Sequence, residues 1–327
     1  MKALVIGATG IIGNHVVRAL LNDGVDVRAF SRGVTPSLNL EGLAVERFQG
    51  DAQDEASLSN AIKGCDFVFH TAAYYPQHAF GLSKHIQEAM KGIHAVLNSV
   101  SKSLVARFVY TSSLTTIGMA QKGKLADESL PYRMIQNPPH PYFLVKYLME
   151  EEVVKRARQG LPAVIVNPTG CFGPYELKPP QLCLIPQLMK RKIPAFIEHD
   201  LNVVDVADVG RGHLLAAQKG KSAERYILGG PNVTSSWLIR KICETGHVKP
   251  PAFQIPLAPA LALSWCSEVS ARLVRKPPLF PLLGLRFLQY GQHFDLSKAK
   301  KELNFTAQGM EFALLEAIRW YQKIGYC

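Results

Sequence analysis

Cysteine is sparse and never set at metal-binding spacing. The six residues Cys65, Cys171, Cys183, Cys243, Cys266 and Cys327 are scattered over 327 positions, with no CxxC and no histidine–cysteine cluster. Neither a disulfide framework nor a zinc site is indicated. An uninterrupted apolar run of about 20 residues is also missing, which excludes a membrane-spanning helix. The stretch 256–291 comes nearest; it is rich in Leu and Pro but carries Arg272, Arg275, Lys276 and Arg286. It reads first as a helical lobe covering a substrate pocket and second as a weak membrane-surface patch. Negative charge is in deficit, 26 Asp and Glu against 37 Lys and Arg, for a net +11. The basic residues are dispersed rather than drawn into one aromatic-interleaved stripe, so a nucleic-acid partner is not expected. An attraction for phosphorylated cofactors or an anionic surface accounts for the charge. The opening MKALVIGATG enters a strand at once and leaves no room for a signal peptide, so a cytoplasmic protein is expected.

What is present is an ordinary globular composition, 47% hydrophobic and 19% charged, long enough for one large α/β domain or two interleaved lobes. KALVIG is a short apolar run, followed by a glycine turn and by IIGNHVVRALLNDG, whose apolar positions recur at helical spacing. VDVRAF and LAVERFQG read as strands, ASLSNAIKG as a helix and CDFVFHTAA as a fourth strand. A helix around 83–103 leads to ARFVYTSS, and LPAVIVNPTG is a sixth strand; later helices are expected at 206–219, 235–246 and 310–324. Alternating strand and helix predicts a doubly wound parallel α/β sheet of Rossmann type. The expected division is a dinucleotide-binding unit at 1–169 and a smaller, mostly helical substrate lobe at 170–327, interleaved with late Rossmann elements at about 203–228.

GATGIIG sets Gly7, Gly10 and Gly13 between the first strand and the first helix. The first permits a tight turn, the second lets the backbone approach a pyrophosphate, and the third lets helix and strand pack closely. In that context the pattern predicts dinucleotide binding, with Thr9, Ile11 and Ile12 in the same turn. The second strand ends VRAFSRG, without the carboxylate that accepts from a ribose 2′-OH. Ser31 and Arg32 offer a hydroxyl and a planar guanidinium to a 2′-phosphate, so NADP is favoured and NAD is the alternative.

HPYFLVKYLME, residues 140–150, places Tyr142 one helical turn before Lys146. Taken alone it is an aromatic and a snorkelling lysine. As a pair it is an acid with its tuning cation: at roughly 5 Å and an effective dielectric of about 20, an ammonium is worth some 3 kcal/mol, about 2 pK units, to a phenol.

With GATGIIG, YTSS closing the fifth strand, YFLVK next and NPTGCFGP after the sixth, the chain resembles the extended short-chain dehydrogenase/reductase superfamily, the NAD(P)-dependent epimerase/dehydratase group. Within it the resemblance leans to the dihydroflavonol 4-reductase-like branch, while RYILGG and FDLSKAKKELNF are similar to hopanoid-associated or nucleoside-diphosphate-sugar epimerase-type proteins. The resemblance implies an oxidoreductase whose catalytic set falls on Ser113, Tyr142 and Lys146, with Ser112 the rival for the serine. It implies cofactor contacts at Asp51, Ala52, Ala72, Ala73, Pro168 and Thr169, and a homodimer formed through the long helix and the YxxxK helix. Tyr74, Tyr75, Leu114 and Phe172 are the candidate pocket residues, and each reads equally as core.

The family's sugar-nucleotide epimerases carry an arginine in an RDYIHV-like strand and an asparagine in an NLxP-like helix start. This chain has Leu201 and Cys183 at those places, and Ala89 where an NxxGT asparagine stands. The departures favour reduction of a small or apolar carbonyl compound. A nucleoside-diphosphate-sugar epimerase or dehydratase is the alternative, and a non-catalytic NADP-binding regulator a third reading.

Overall fold

The computed structural model describes residues 1–33, 38–72, 74–76, 80–134, 140–274 and 282–327. Ala73, Arg275 and Lys276, singled out above, lie outside the described residues. In chain order the elements are β1 (Lys2–Ile6), α1 (Ile11–Asn22), β2 (Asp26–Ser31), β3 (Val45–Gln49), α2 (Glu55–Ile62), β4 (Phe67–His70), α3 (Leu82–Ser101), β5 (Arg107–Thr111), α4 (Pro141–Arg158), β6 (Ala163–Pro168), β7 (Gly170–Phe172), α5 (Leu184–Met189), β8 (Ala195–Phe196), β9 (Asp200–Asp205), α6 (Val206–Lys219), β10 (Arg225–Leu228), β11 (Asn232–Thr234), α7 (Ser235–Thr245), β12 (Phe253–Gln254), α8 (Leu257–Val274), α9 (Leu282–Leu288) and α10 (Met310–Lys323).

Continuous apolar strands such as KALVI and AVIVNP are what a parallel sheet covered on both faces requires. The seven-stranded sheet runs β10-β6-β5-β4-β1-β2-β3, every pair parallel. Its first six strands follow the doubly wound order 3-2-1-4-5-6, so the direction of winding reverses between β1 and β4. The core divides accordingly. Val16, Val17 and Leu20 of α1 and Val209 and Leu214 of α6 fill one face, while Leu58 of α2, Ile93 and Leu97 of α3 and Met149 and Val153 of α4 fill the other. Each such side chain contributes roughly 1.5–3 kcal/mol by leaving water.

A third core joins Val203 of β9 to α5, α7 and α10. Beside it stand two small sheets: β9 lies between β7 and β11, and β12 pairs with β8, the partners of β9 and both strands of the second sheet being too short for any sequence period to show. The expected helical lobe therefore carries small sheets as well as helices, and β9 belongs to one of these rather than to the main sheet.

Among the described residues four histidines, His15, His70, His140 and His213, are buried. Burial lowers them to about 4, 3, 4 and 4 respectively. Each takes a proton near pH 6.5 in the unfolded chain but holds none in the folded one until far lower pH. Stability is thus full above about 6.5 and is lost as pH falls toward 4, at a slope approaching about 5 kcal/mol per pH unit near pH 5 if all four act. Urea midpoints measured from pH 7 down to 4.5 should fall steeply; a flat profile would contradict the assignment.

Candidate active site

β1 ends at Ile6, and Gly7 turns the chain with φ +90°. A Cβ there would lie 2.6 Å from the Ala72 nitrogen, so the turn after β1 sits directly against the turn after β4. At Gly13 a Cβ would lie 2.1 Å from the Gly7 oxygen and 2.5 Å from Thr71 Oγ1, so only glycine lets α1 start this close. Gly10 caps α1 without a side-chain hydrogen bond, leaving the first N–H groups, those of Ile11, Ile12 and Gly13, at the positive end of the helix. Thr9 turns its carbonyl to Asn39 Nδ2 at 2.7 Å, which pins the loop after β2 to the glycine turn. Gly13→Ala should abolish cofactor binding and lower Tm; retained NADPH affinity in a fluorescence titration would count against the cradle.

Ser31 closes β2, its hydroxyl donating to the Gly33 carbonyl at 3.3 Å, and Arg32 beside it is exposed. Asp51 is exposed and accepts from Gln53 N at 3.0 Å, while Ala52 and Ala72 pack on the α2–α3 side of the sheet. Pro168 and Thr169 end β6, and the buried Thr169 Oγ1 has no hydrogen-bond partner. A glycine cradle, bare helix N–H groups and an unpartnered hydroxyl across the sheet's switch point fit a nicotinamide dinucleotide.

Tyr142 is the second residue of α4, whose start is built locally. Pro141 holds the first helical position and the His140 ring accepts from the Tyr142 N–H at 3.2 Å, which needs the neutral imidazole that burial enforces. The Tyr142 ring is buried among Tyr75, Phe143 and Phe287, with centroids at 5.1, 5.4 and 5.1 Å. Leu114 and Leu283 of α9 join the same cluster. Burial drives the phenol well above its usual value, and hydrogen bonding to the Ser113 hydroxyl opposes that rise. Ser113 Oγ also accepts from Thr115 N at 3.2 Å and Thr115 Oγ1 at 2.9 Å. Ser112 instead turns to Thr116 Oγ1 at 3.4 Å, away from the phenol, so it is Ser113 that meets Tyr142.

The expectation that Lys146 pulls the phenol toward neutrality needs correction. Burial is the largest influence on Tyr142, and the cation that opposes the rise is Lys178 rather than Lys146. The Lys146 ammonium is buried beneath the helix and donates to the Thr111 carbonyl at 3.4 Å. Burial lowers Lys146 to about 8, and the Glu150 carboxylate one turn on opposes the fall. Desolvation of the phenol outweighs Coulomb attraction from a cation aimed elsewhere.

Glu150 is a residue the sequence reading passed over. It is buried, accepts from Thr116 Oγ1 at 2.7 Å and Asn167 Nδ2 at 2.8 Å, and pairs with Arg225 of β10 at 3.2 Å. Tyr142, Lys146 and Glu150 stand at successive i, i+4 steps, so the period was legible but the partner strand was not. His70 was also missed; its buried Nδ1 has no hydrogen-bond partner, and after burial the Lys146 charge is what lowers it. Ala89, in the place of the family asparagine, is buried in the α3 core.

The four pocket candidates part company. Tyr75 and Leu114 lie at Tyr142. Tyr74 turns away, its hydroxyl bonded to His85 Nδ1 at 2.7 Å and Glu88 Oε2 at 2.6 Å of α3, and Phe172 packs into the α5–α7–α10 core. Phe287 and Tyr290, spaced one turn apart in FLQY, supply aromatic surface that the sequence reading did not assign: Phe287 touches Tyr142, and Tyr290 stacks on Phe143 at 4.4 Å.

The profile of the NAD dependent epimerase/dehydratase family matches residues 3–229. A protein of Synechocystis sp. that carries a provisional dihydroflavonol 4-reductase name is 33% identical, over 98% of this chain and 95% of that one. Sterol demethylase protein B of Methylococcus capsulatus is 31% identical, over 99% of each. A crystal structure of a nucleoside-diphosphate-sugar epimerase from Pseudomonas aeruginosa superposes with a TM-score of 0.83 at 28% identity, covering 100% of this chain and 99% of that one.

Proposed function

Since the chain belongs to the NAD dependent epimerase/dehydratase family, whose members are NAD(P)-dependent enzymes, we propose that it is an NADPH-dependent reductase of an apolar carbonyl compound. The observation that carries the reading is the apolar roof of Tyr75, Leu114 and Phe287 over the Tyr142–Ser113 pair. A phenol held above its usual value keeps its proton at neutral pH, which suits a donor to a carbonyl oxygen. The Ser113 hydroxyl orients that oxygen and Tyr142 delivers its proton to it, while Lys146, whose ammonium lies at the Thr111 carbonyl, would hold the dinucleotide rather than tune the phenol. Gly7, Gly10, Gly13, Thr9, Ile11, Ile12, Asp51, Ala52, Ala72, Pro168 and Thr169 would hold the dinucleotide, whose nicotinamide would supply the hydride. The aromatic roof excludes water from the reacting carbon.

Leu201 and Cys183 both pack in the α5–α7–α10 core, so neither position supplies the arginine or the asparagine that the sugar-nucleotide epimerases carry there. The sterol named for one relative is an apolar molecule of the class proposed here. A second reading, a nucleoside-diphosphate-sugar epimerase, is favoured by the whole-chain likeness to the Pseudomonas structure. NADPH oxidation screened against hydrophobic ketones and aldehydes, beside thermal shift with nucleotide sugars, separates the two. Carbonyl-dependent NADPH consumption supports the reductase. A nucleotide-sugar shift without net cofactor consumption supports the epimerase.

Ser31 and Arg32 stand at the end of β2 with no carboxylate in the strand's last turn, which supports NADPH over NADH. Losing charge-assisted hydrogen bonds of about 1.5–3 kcal/mol, Arg32→Ala should weaken NADPH about 10- to 100-fold and leave NADH nearly unchanged. Parallel titrations check this, and an unaltered NADPH/NADH ratio would sink the assignment.

A further inference from the structure

α8 is built inside out. Among its described side chains the buried ones are Ser264, Glu268 and Ala271, and Glu268 accepts from the Leu282 N–H of α9 at 3.1 Å. Pro259, Ala262, Leu263, Cys266 and Leu273, spaced on one helical face, are exposed, with Trp265 on its flank. A helix facing water turns its charges outward and its Leu and Trp inward. Here the one carboxylate of the helix is inside and the large apolar groups are outside. Phe253 (69% exposed) and Ile255 (40%) lead into the helix, and Leu263 (58%), Trp265 (55%) and Leu273 (80%) follow on it. Such a concentration of exposed large apolar side chains within 21 residues marks an interaction surface.

Charge decides what covers it. From Gly246 to Gly291 the sequence holds Lys249, Arg272, Arg275, Lys276 and Arg286 against the single Glu268, and the whole chain carries a net +11. A second copy of the chain would set two cationic segments against each other. An anionic surface neutralises them. No helix among the described residues is long and apolar enough to cross a membrane, so the helix would lie in the plane of the surface.

We propose that α8 seats the protein on an anionic lipid bilayer, with Leu263, Cys266, Trp265 and Leu273 entering the interface and the cationic composition of the 246–291 stretch selecting an anionic surface. Trp at the headgroup level and basic residues beside an apolar face are the physical requirements of such a seat. α9, tied to α8 through Glu268, places Phe287 on the Tyr142 ring, so the seat adjoins the roof of the site. Delivery of an apolar substrate from the bilayer rests on the carbonyl reading above; the seat itself does not.

The test uses the whole chain and reads binding rather than turnover, so it stands or falls apart from the reductase assignment. The protein is sedimented with vesicles of phosphatidylcholine alone and with vesicles containing about one-third phosphatidylglycerol. Pelleting with the anionic vesicles is expected, weakened at least about tenfold in Leu263→Ser/Leu273→Ser, where two apolar side chains no longer enter lipid. Raised salt should weaken it further. Both leucines are exposed, so an unchanged thermal melt is expected of the variant. A blue shift of tryptophan emission on lipid addition, absent in Trp265→Phe, gives a second measure. The proposal is overturned if anionic vesicles fail to pellet the wild type, or if wild type and variant partition alike. It is also overturned if, without lipid, the double substitution converts a dimer to a monomer in sedimentation velocity, which would give the face to a second copy.

Discussion

Tyr142→Phe is expected to lower kcat by about 10²–10⁴ while leaving NADPH affinity and the thermal melt close to wild type. The phenylalanine keeps the ring contacts with Tyr75, Phe143 and Phe287, so the helix start and the roof remain packed. What is lost is the proton that burial holds on the phenol, and general acid catalysis is worth a factor of that order. Kinetics on the carbonyl found by the screen, with NADPH binding followed by fluorescence, provide the check. A variant within about threefold of wild type would remove Tyr142 from the mechanism.

The second large effect concerns stability and pH together. Arg225→Ala strips the cation from buried Glu150 and also ends hydrogen bonds to the Thr116 and Leu130 carbonyls. Breaking one side of a buried pair costs about 3–5 kcal/mol, because the remaining charge keeps its desolvation cost without its partner. Urea unfolding should show a loss of that size. Glu150→Gln acts on the active site as well. Its carboxylate opposes the burial that lowers Lys146 to about 8, so removing the charge should lower Lys146 further. The cationic lysine is then lost at a lower pH, and the alkaline limb of kcat/KM should move toward acid. A stability loss with an unmoved alkaline limb would show that Glu150 serves the fold alone.

The glycine turn, the alternating strands and the 140–150 helix were legible because each is a local pattern. Gly7 and Gly13 announce their backbone demands in the sequence, and β1, β4, β5 and β6 appear as apolar runs whose order follows from the winding rule. The YxxxK helix declares its face through the i, i+4 rule. By contrast, the aim of the Lys146 ammonium at the Thr111 carbonyl depends on β5, more than 30 residues upstream in the chain. The Glu150–Arg225 pair joins α4 to β10 across 75 residues, and neither partner signals the other. Tyr74 and Tyr75 are adjacent and identical in type, yet one faces α3 and the other faces Tyr142.

The sequence by itself determined the family, the doubly wound sheet, the position of the glycine turn between β1 and α1 and the residues from which a proton-transfer set could be proposed. Only the tertiary structure decided which serine meets the phenol, that burial raises the phenol instead of the lysine lowering it, which aromatics roof the site and which way α8 faces. The physical reason is range. Turn geometry and helix periodicity are fixed by neighbours within a few positions, whereas desolvation and charge pairing depend on atoms that distant segments bring together, and at those distances in sequence no spacing records them.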